Sequence, residues 1–351
     1  ALAVLIVSCP CALSLAIPTA ISATLGKMQS AGLLVKRGSA LEILNRVTHV
    51  VFDKTGTLTE GRPRLERVMC NAGFSRQQCL QLAAALEAHS EHPLARELVR
   101  EAGSFKQGEV AQVSSHAGGG IRARIDGDDY IIGNIEFVAS HCDVPVPEEW
   151  LAEIAQDAVT AVILARVDCV IAIFTFVDGL REDAGDLIEA LQQMGKSVIL
   201  MTGDREATAR QVAQTTGIQD YRAQMSPQAK MEAVQGLQSE SAVVLMVGDG
   251  VNDAPVLSAA DVSIAMGGAS SLAKTSADIV LVANHLSTIT QTMDIAARTQ
   301  RIIYQNMAWA LVYNFGAIPA AAMGLVAPWL AAVGMSISSL LVVLNASRLI
   351  R

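Results

Sequence analysis

Three short apolar runs in this chain end in the same way. Val50-Val51-Phe52 ends in Asp53, Val198-Ile199-Leu200-Met201 in Thr202-Gly203-Asp204, and Ala242–Val247 in Gly248-Asp249-Gly250. Unbroken β-branched and aliphatic runs of this length read as strands buried on both faces. Helical stretches lie between them, one from Glu206 and one from Ser226-Pro227, with proline at a helix start. Strands alternating with helices predict a parallel, doubly wound sheet. Such sheets collect their ligands at the carboxyl ends of the strands, which is where each acid falls. A carboxylate there can be a nucleophile, a metal ligand or a helix cap, and any one of these acids alone fits all three.

The chain has 351 residues, room for two or three domains, and is 51% hydrophobic with only 17% charged residues. That is too apolar for one soluble enzyme, and the excess sits at the two ends. Residues 1–25 hold no charged side chain, and two further apolar segments, 302–324 and 327–349, are split by Gly324 and Pro328. About 20 apolar residues suffice to cross a bilayer, so three transmembrane helices are predicted. Charged stalks flank them, with Lys27, Lys36, Arg37 and Arg46 on one side and Asp294, Arg298 and Arg301 on the other. Together with Arg348 and Arg351 these cations place the intervening loop in the cytosol. A net charge of −8 without a basic stripe excludes nucleic acid as a partner. The chain opens on Ala-Leu-Ala-Val, inside an apolar segment, and is expected to be a fragment of a longer protein.

The first apolar segment contains Ser8-Cys9-Pro10-Cys11. Proline removes a backbone donor and clashes with the preceding turn, so the helix should break there. In lipid such a break survives only where protein or a cavity covers it, which turns Cys9 and Cys11 inward. Thiolates are soft ligands for Cu(I) or Zn(II), although cysteine is also a small apolar residue at home in a membrane helix. The last two segments add Tyr313, Asn314, Met335 and Ser339 but no carboxylate. A divalent ion wants an acid beside its thiolates, whereas neutral donors and a thioether suit monovalent copper. Cys70, Cys79, Cys142 and Cys169 lack metal-site spacing and are expected to be reduced and structural.

Between the first acid and the rest of its sheet lies an insertion. Two helices are expected over 75–101, then alternating short runs at 110–115, 121–125, 130–132, 160–165 and 170–176 that read as an antiparallel sheet. Ser90-Glu91-His92-Pro93-Leu94 follows Glu87, and Gly118-Gly119-Gly120 and Gly133-Asn134 come later. A histidine before proline can simply start a helix, and a tri-glycine can simply turn a hairpin. Glycines also let backbone approach a ligand closely, and an imidazole can stack on adenine or bond to it.

Cys-Pro-Cys, Asp53-Lys54-Thr55-Gly56-Thr57-Leu58-Thr59, Ser-Glu-His-Pro-Leu and Gly-Asp-Gly-Val-Asn-Asp, in this order, resemble the heavy-metal-transporting P-type ATPases. Tyr313-Asn314 and Met335-Ser336-Ile337-Ser338-Ser339 resemble that family's copper subgroup, and the wording around Trp329 resembles the pumps that serve cytochrome oxidase assembly. The resemblance implies a multidomain α/β membrane protein. Its haloacid-dehalogenase-like phosphorylation domain would comprise 26–63 with a stalk and 175–285. An α+β nucleotide-binding domain would occupy 64–174, a second stalk 286–301, and transmembrane helices 1–25, 302–324 and 327–349.

The same resemblance implies roles. Asp53 would be phosphorylated by ATP, with Mg²⁺ on Asp53, Asp249 and the Thr55 carbonyl. Lys230, Thr202, Asp204, Asn252 and Asp253 would complete the catalytic set, and Glu87, His92, Gly118, Gly120, Gly133 and Asn134 the nucleotide site. Cys9, Cys11, Tyr313, Asn314, Met335 and Ser339 would carry Cu(I). Related phosphatases hold an acid two residues after the nucleophile, where this chain has Thr55, so the phosphoenzyme should be long-lived. Membrane lipid, a cytosolic copper donor and an extracytoplasmic acceptor would be the partners, and the setting a bacterial inner membrane with the catalytic domains in the cytosol. The family's actuator domain is not among these residues. A Zn(II)- or Cd(II)-exporting relative and a soluble phosphatase of the dehalogenase type are the alternatives; the missing acid disfavours the first, the apolar ends and Thr55 the second.

Overall fold

His49–Asp53 lies inside a seven-stranded sheet ordered Leu33–Val35, Ile279–Leu281, Val262–Met266, Val244–Gly248, His49–Asp53, Ser197–Met201 and Asp220–Arg222. The computed structural model describes residues 2–9, 11–88, 90, 92–104, 110–116, 118–156, 159–249, 253–283 and 285–350. Every neighbouring pair is parallel except the edge pair Leu33–Val35 with Ile279–Leu281. The chain runs outward from His49–Asp53 to Asp220–Arg222, then returns to start on the other side at Val244. The strand order therefore reverses between Asp53 and Gly248, and such a switch point opens a crevice for ligand. Val244–Gly248 and Val262–Met266 are buried throughout, which is why their sequences are apolar without alternation. Phe52 is fully buried in this core, and burying one such side chain contributes about 2–3 kcal/mol.

The insertion forms a six-stranded antiparallel sheet ordered Thr59–Cys70, Cys169–Leu180, Thr160–Arg166, Asp128–Gly133, Gly120–Ile125 and Val110–His116. Side chains alternate between its faces. Ile132, Leu164 and Phe174 pack under the helices Arg76–Glu87 and Pro93–Ala102. Ile131, Ile163 and Ile173 face the helices Ile135–Ala139 and Glu148–Gln156. Thr59–Cys70 was not expected as a strand. Arg62, Pro63, Arg64, Glu66 and Arg67 hide its alternation, because the strand is half-buried or exposed after Thr59, and the register shifts near Pro63, which has no N–H to give. This strand pairs with Cys169–Leu180 from Thr59↔Leu180 to Cys70↔Ala172, so a two-stranded stem rises directly from the Asp53 loop.

The ends of the chain pack together as helices. Leu2–Val7 and Cys11–Ser30 are separate, broken beside Pro10, which lies outside the described residues, while Pro18 stays inside an unbroken helix. Among the described residues two segments are long and apolar enough to cross a membrane, Leu2–Ser30 and Pro328–Ser347. The segment 302–324 is the second half of the continuous 35-residue helix Thr288–Ala322, and Gln305, Asn306, Tyr313 and Asn314 dilute its hydropathy. Gln305 and Asn306 join helices. Asn306 donates to the Val342 carbonyl at 3.3 Å and accepts from Asn345 at 2.9 Å, and the Thr24 and Thr299 hydroxyls meet at 2.7 Å. Such bonds and small residues are the usual glue between apolar helices.

Candidate active site

Asp53 closes its strand and hands the chain to the tight turn Lys54–Leu58. Gly56 has φ +68°, and a Cβ there would lie 1.6 Å from Asp249 Oδ2. Only glycine lets the Asp249 carboxylate lie against this loop. The loop is held from the stem. Arg181 donates to the carbonyls of Thr57 at 2.8 Å and Gly56 at 3.2 Å. Asp178 accepts from the Thr59 hydroxyl at 2.5 Å and the Arg62 N–H at 3.1 Å. The geometry makes Asp178 and Arg181 the brace of the nucleophile loop.

Lys230 Nζ lies 2.5 Å from Asp53 Oδ1 and 2.9 Å from Asp253 Oδ1, with all three side chains buried. Ser226 caps the helix Pro227–Ser239, accepting from the Ala229 N–H at 3.1 Å, which fixes the turn that carries Lys230. Carboxylate oxygens of Asp53, Asp249 and Asp253 lie within 4.8 Å of one another. Two of these acids, Asp53 and Asp253, thus share one ammonium. Burial pulls Lys230 down, but Asp53 and Asp253 outweigh it and hold its pKa above the ordinary lysine value. Burial raises Asp53 above the carboxylate range, against the pull of Lys230 and with the push of Asp253. Burial, then Asp53, Asp253 and Asp178, push Asp249 up to about 7. The lysine charge is secure and the carboxylates compete for it. A surplus of buried anionic oxygens is the donor set of a hard divalent cation, so these residues fit Mg²⁺.

Thr202 follows the strand Ser197–Met201, whose Met201 is paired with Asp53, and is 2% exposed. Its hydroxyl accepts from the Asp204 N–H at 3.1 Å. Asp204 itself is turned to the rim, in an ion pair with Lys54. Thr55 stands in the turn at φ −72° and ψ 128°. The Thr57 hydroxyl is buried and has no hydrogen-bond partner. Asn252 lies outside the described residues.

The expected nucleotide residues also come together. Glu87, His92, Gly118, Gly120, Gly133 and Asn134 line one cleft of about 410 Å³. His92 is both a helix cap and a cleft residue: its Nδ1 accepts from the Leu94 N–H at 3.3 Å. An accepting Nδ1 makes the neutral ring the Nε2–H tautomer, a donor. Burial raises Glu87, against a hydrogen bond with Ser90. Gly120 pairs with Gly133, and a Cβ on Gly120 would meet the Ile132 carbonyl at 2.2 Å. Asn134 accepts from the Phe137 N–H at 2.8 Å and donates to the Gly118 carbonyl at 2.9 Å, tying strand turn to helix. A second cleft of about 460 Å³ lies between the sheets, with Lys54, Gly203 and Asp204 on one wall and Asn134, Glu136 and Thr160 on the other. Asn134 and Thr160 line both clefts, so the two run together from His92 to the loop of Asp53.

In the helical end, Cys9 and Cys11 are joined by a disulfide. Bonded sulfur carries no negative charge, and only the reduced pair can bind a soft ion as thiolate. Ala3 and Val7 pack with Ala321 and Ala331, while Ala12 and Ala16 pack with Ala310 and Val342. The cysteines lie between these two layers. Tyr313 and Asn314 fall between 310 and 321 on one helix, and Met335 and Ser339 between 331 and 342 on the other, within the span of helix that these layers bound. The Tyr313 hydroxyl sits over Gly334, where a Cβ would approach it to 3.0 Å.

The family model for haloacid dehalogenase-like hydrolases matches residues 47–261. The chain is 39% identical over 358 residues to a probable copper-exporting P-type ATPase V of Mycobacterium tuberculosis, covering 100% of this chain and 46% of that protein. It therefore spans about half the length of the curated relatives it matches. Among solved structures, a zinc-transporting PIB-type ATPase in an E2.Pi state matches with TM-score 0.78 at 35% identity, over 98% of this chain and 57% of that one. The catalytic domain of the CPx-ATPase CopB-B, solved for its conformational changes upon nucleotide binding, matches with TM-score 0.64 at 30% identity, over 76% of this chain and 98% of that one.

Proposed function

The chain belongs to the P-type ATPases, on their haloacid dehalogenase-like catalytic fold, and from that membership we propose that it carries the catalytic domains and part of the ion path of a copper(I)-exporting pump phosphorylated by ATP on Asp53. The observation that carries this reading is the buried Asp53–Lys230–Asp253 cluster at the sheet's switch point, joined by a continuous cleft to the pocket of His92 and Gly120.

The chemical problem is to bring the γ-phosphoryl of ATP onto a carboxylate, one anion against another, which is mostly positioning and charge neutralisation. The adenine end rests among Glu87, His92 and the glycines, and the phosphates run along Asn134 and Thr160 toward Lys54. An Asp53 oxygen forms the new bond to phosphorus as the bond to the ADP oxygen breaks, giving an aspartyl phosphate. Lys230 meets the charge that develops on the phosphoryl oxygens, and Thr202 donates to them. Asp53, Asp249 and the Thr55 carbonyl would hold Mg²⁺, which supplies the remaining positive charge. Arg181 and Asp178 keep the loop from moving as charge passes through it. Thr55 offers no acid to hydrolyse the product, so the phosphoenzyme persists.

For the transported ion, a reduced Cys9 and Cys11 with Met335 and neutral oxygens suit Cu(I), and a named copper exporter is among the relatives. Zn(II) export is the second reading, favoured by the zinc-transporting structure at 35% identity. The setting is a bacterial inner membrane with both sheets in the cytosol, a copper donor on that side and an acceptor beyond the membrane. Phosphorylation of the reduced full-length protein by ATP with Cu(I) or Zn(II) tests the reading: stimulation by Cu(I) supports it, and stimulation by Zn(II) alone replaces it with the second.

A further inference from the structure

The three glycines of the nucleotide cleft do something besides admitting a ligand. A Cβ on Gly119, Gly120 or Gly133 would come within 2.9, 2.6 and 2.8 Å of the Phe137 ring. What their missing side chains admit is that ring, seated beneath the hairpin turn. Asn134 caps the helix that carries Phe137 and so sets its position. On the ring lies His116, with centroids 5.2 Å apart and planes tilted by 45°. His141 flanks Phe137 at 4.5 Å. His116 ends its strand two residues before Gly118 and lines the same cleft as Glu87 and His92. Its Nε2 is 3.1 Å from the Ser114 hydroxyl, which holds the ring orientation, yet the side chain stays exposed.

We propose that His116, buttressed by Phe137, is a specificity-determining residue that presents its ring to the purine base of the nucleotide, a second imidazole beside His92. This rests on the reading that the cleft takes ATP. An exposed aromatic ring backed by another ring and pinned by a hydroxyl loses little rotamer freedom on binding, which is how preorganised contacts gain affinity. A flat π-face in a cleft whose other lining includes Glu87, His92, Leu94, Ile121 and Val162 is matched by a flat heteroaromatic base. A ring stacked on a base gains by area, so a purine profits more than a pyrimidine.

The test uses the chain purified in detergent, with ATP, ADP and UTP titrated against wild type, His116→Ala and His116→Phe, and acetyl phosphate as a phosphoryl donor that bypasses the cleft. His116→Ala should weaken ATP and ADP alike by about tenfold, within the range for removing a base-stacking side chain, and should narrow the preference over UTP. His116→Phe should return binding to within about twofold of wild type. Labelling from acetyl phosphate should not change, which reports that the phosphorylation site is intact. Unchanged ATP affinity in His116→Ala, or His116→Phe binding as weakly as His116→Ala with the same thermal midpoint as wild type, overturns the proposal. Wild type that binds none of the three nucleotides overturns instead the ATP reading on which it rests.

Discussion

Gly56 and Asp249 are complementary by subtraction: the Asp249 carboxylate occupies the space a Gly56 side chain would need, 1.6 Å from where its Cβ would be. The turn after the nucleophile and the acid from a strand nearly 200 residues later therefore define one pocket, and neither can change alone.

Gly56→Ala should accordingly abolish phosphorylation. The added carbon displaces Asp249, and the residue must still hold φ +68°, which costs about 1–2 kcal/mol for a side-chain-bearing residue. The check is labelling by γ-labelled ATP beside a thermal melt. Wild-type labelling in this variant would show that Asp249 does not need to lie against the loop.

Lys230→Met removes the cation paired with the buried Asp53 and Asp253. An unpaired buried charge costs about 3–5 kcal/mol, so chemical denaturation should show a loss of that order, and Asp253→Asn added to it should recover part by removing one uncompensated charge. An additive double mutant would mean that Lys230 and Asp253 do not act as a pair despite their 2.9 Å separation.

The raised Asp249 gives the site a pH dependence with a definite sign. Its folded value of about 7 stands above the unfolded value of 3.8, so the folded state binds the extra proton between them. Stability contributed by this group is complete below about pH 4 and is lost as pH rises to about 7. A divalent cation must displace that proton, so Mg²⁺ should raise the thermal midpoint more at pH 7.5 than at pH 5.5, with little further gain above. Asp249→Asn should weaken the dependence and leave the part that Asp53 contributes; a Mg²⁺ shift that is flat in wild type would contradict the crowding of acids described for the site.

The glycines of the nucleotide cleft should not respond equally to substitution. Gly118 has φ +75° but open space around its missing Cβ, whereas Gly120 faces the Ile132 carbonyl at 2.2 Å and Gly133 Cα at 2.7 Å. Gly118→Ala should cost about 1–2 kcal/mol of backbone strain. Gly120→Ala must spread the paired strands, and should both weaken ADP binding and lower the thermal midpoint further. Equal effects on the two would show that strain, not space, governs this turn.

How much of this was legible beforehand follows from where the information resides. Asp53, Thr202 and Asp249 could be placed because buried parallel strands have unbroken apolar sequences, and the residue that ends the run ends the strand. The break at Cys9 could be read because proline acts locally. Thr59–Cys70 was hidden, since an exposed ribbon stabilised by its partner carries charges on both faces. The bracing by Arg181 and Asp178 is tertiary and has no local signal beyond the motif. Phe137 and His116 were missed because the glycines were read for the ligand they admit, and nothing in a sequence says which ring will fill the space. The segment 302–324 stands apart in the sequence by its apolar content, whereas one 35-residue helix runs through stalk and span alike, and its Gln305 and Asn306 bond to a neighbouring helix.

The most direct test of the account is acid-stable labelling of the reduced full-length protein by γ-labelled ATP in the presence of Cu(I), wild type against Asp53→Asn. The account predicts a single labelled site that is lost in Asp53→Asn. Label retained at wild-type level in that variant would place the nucleophile elsewhere and contradict it.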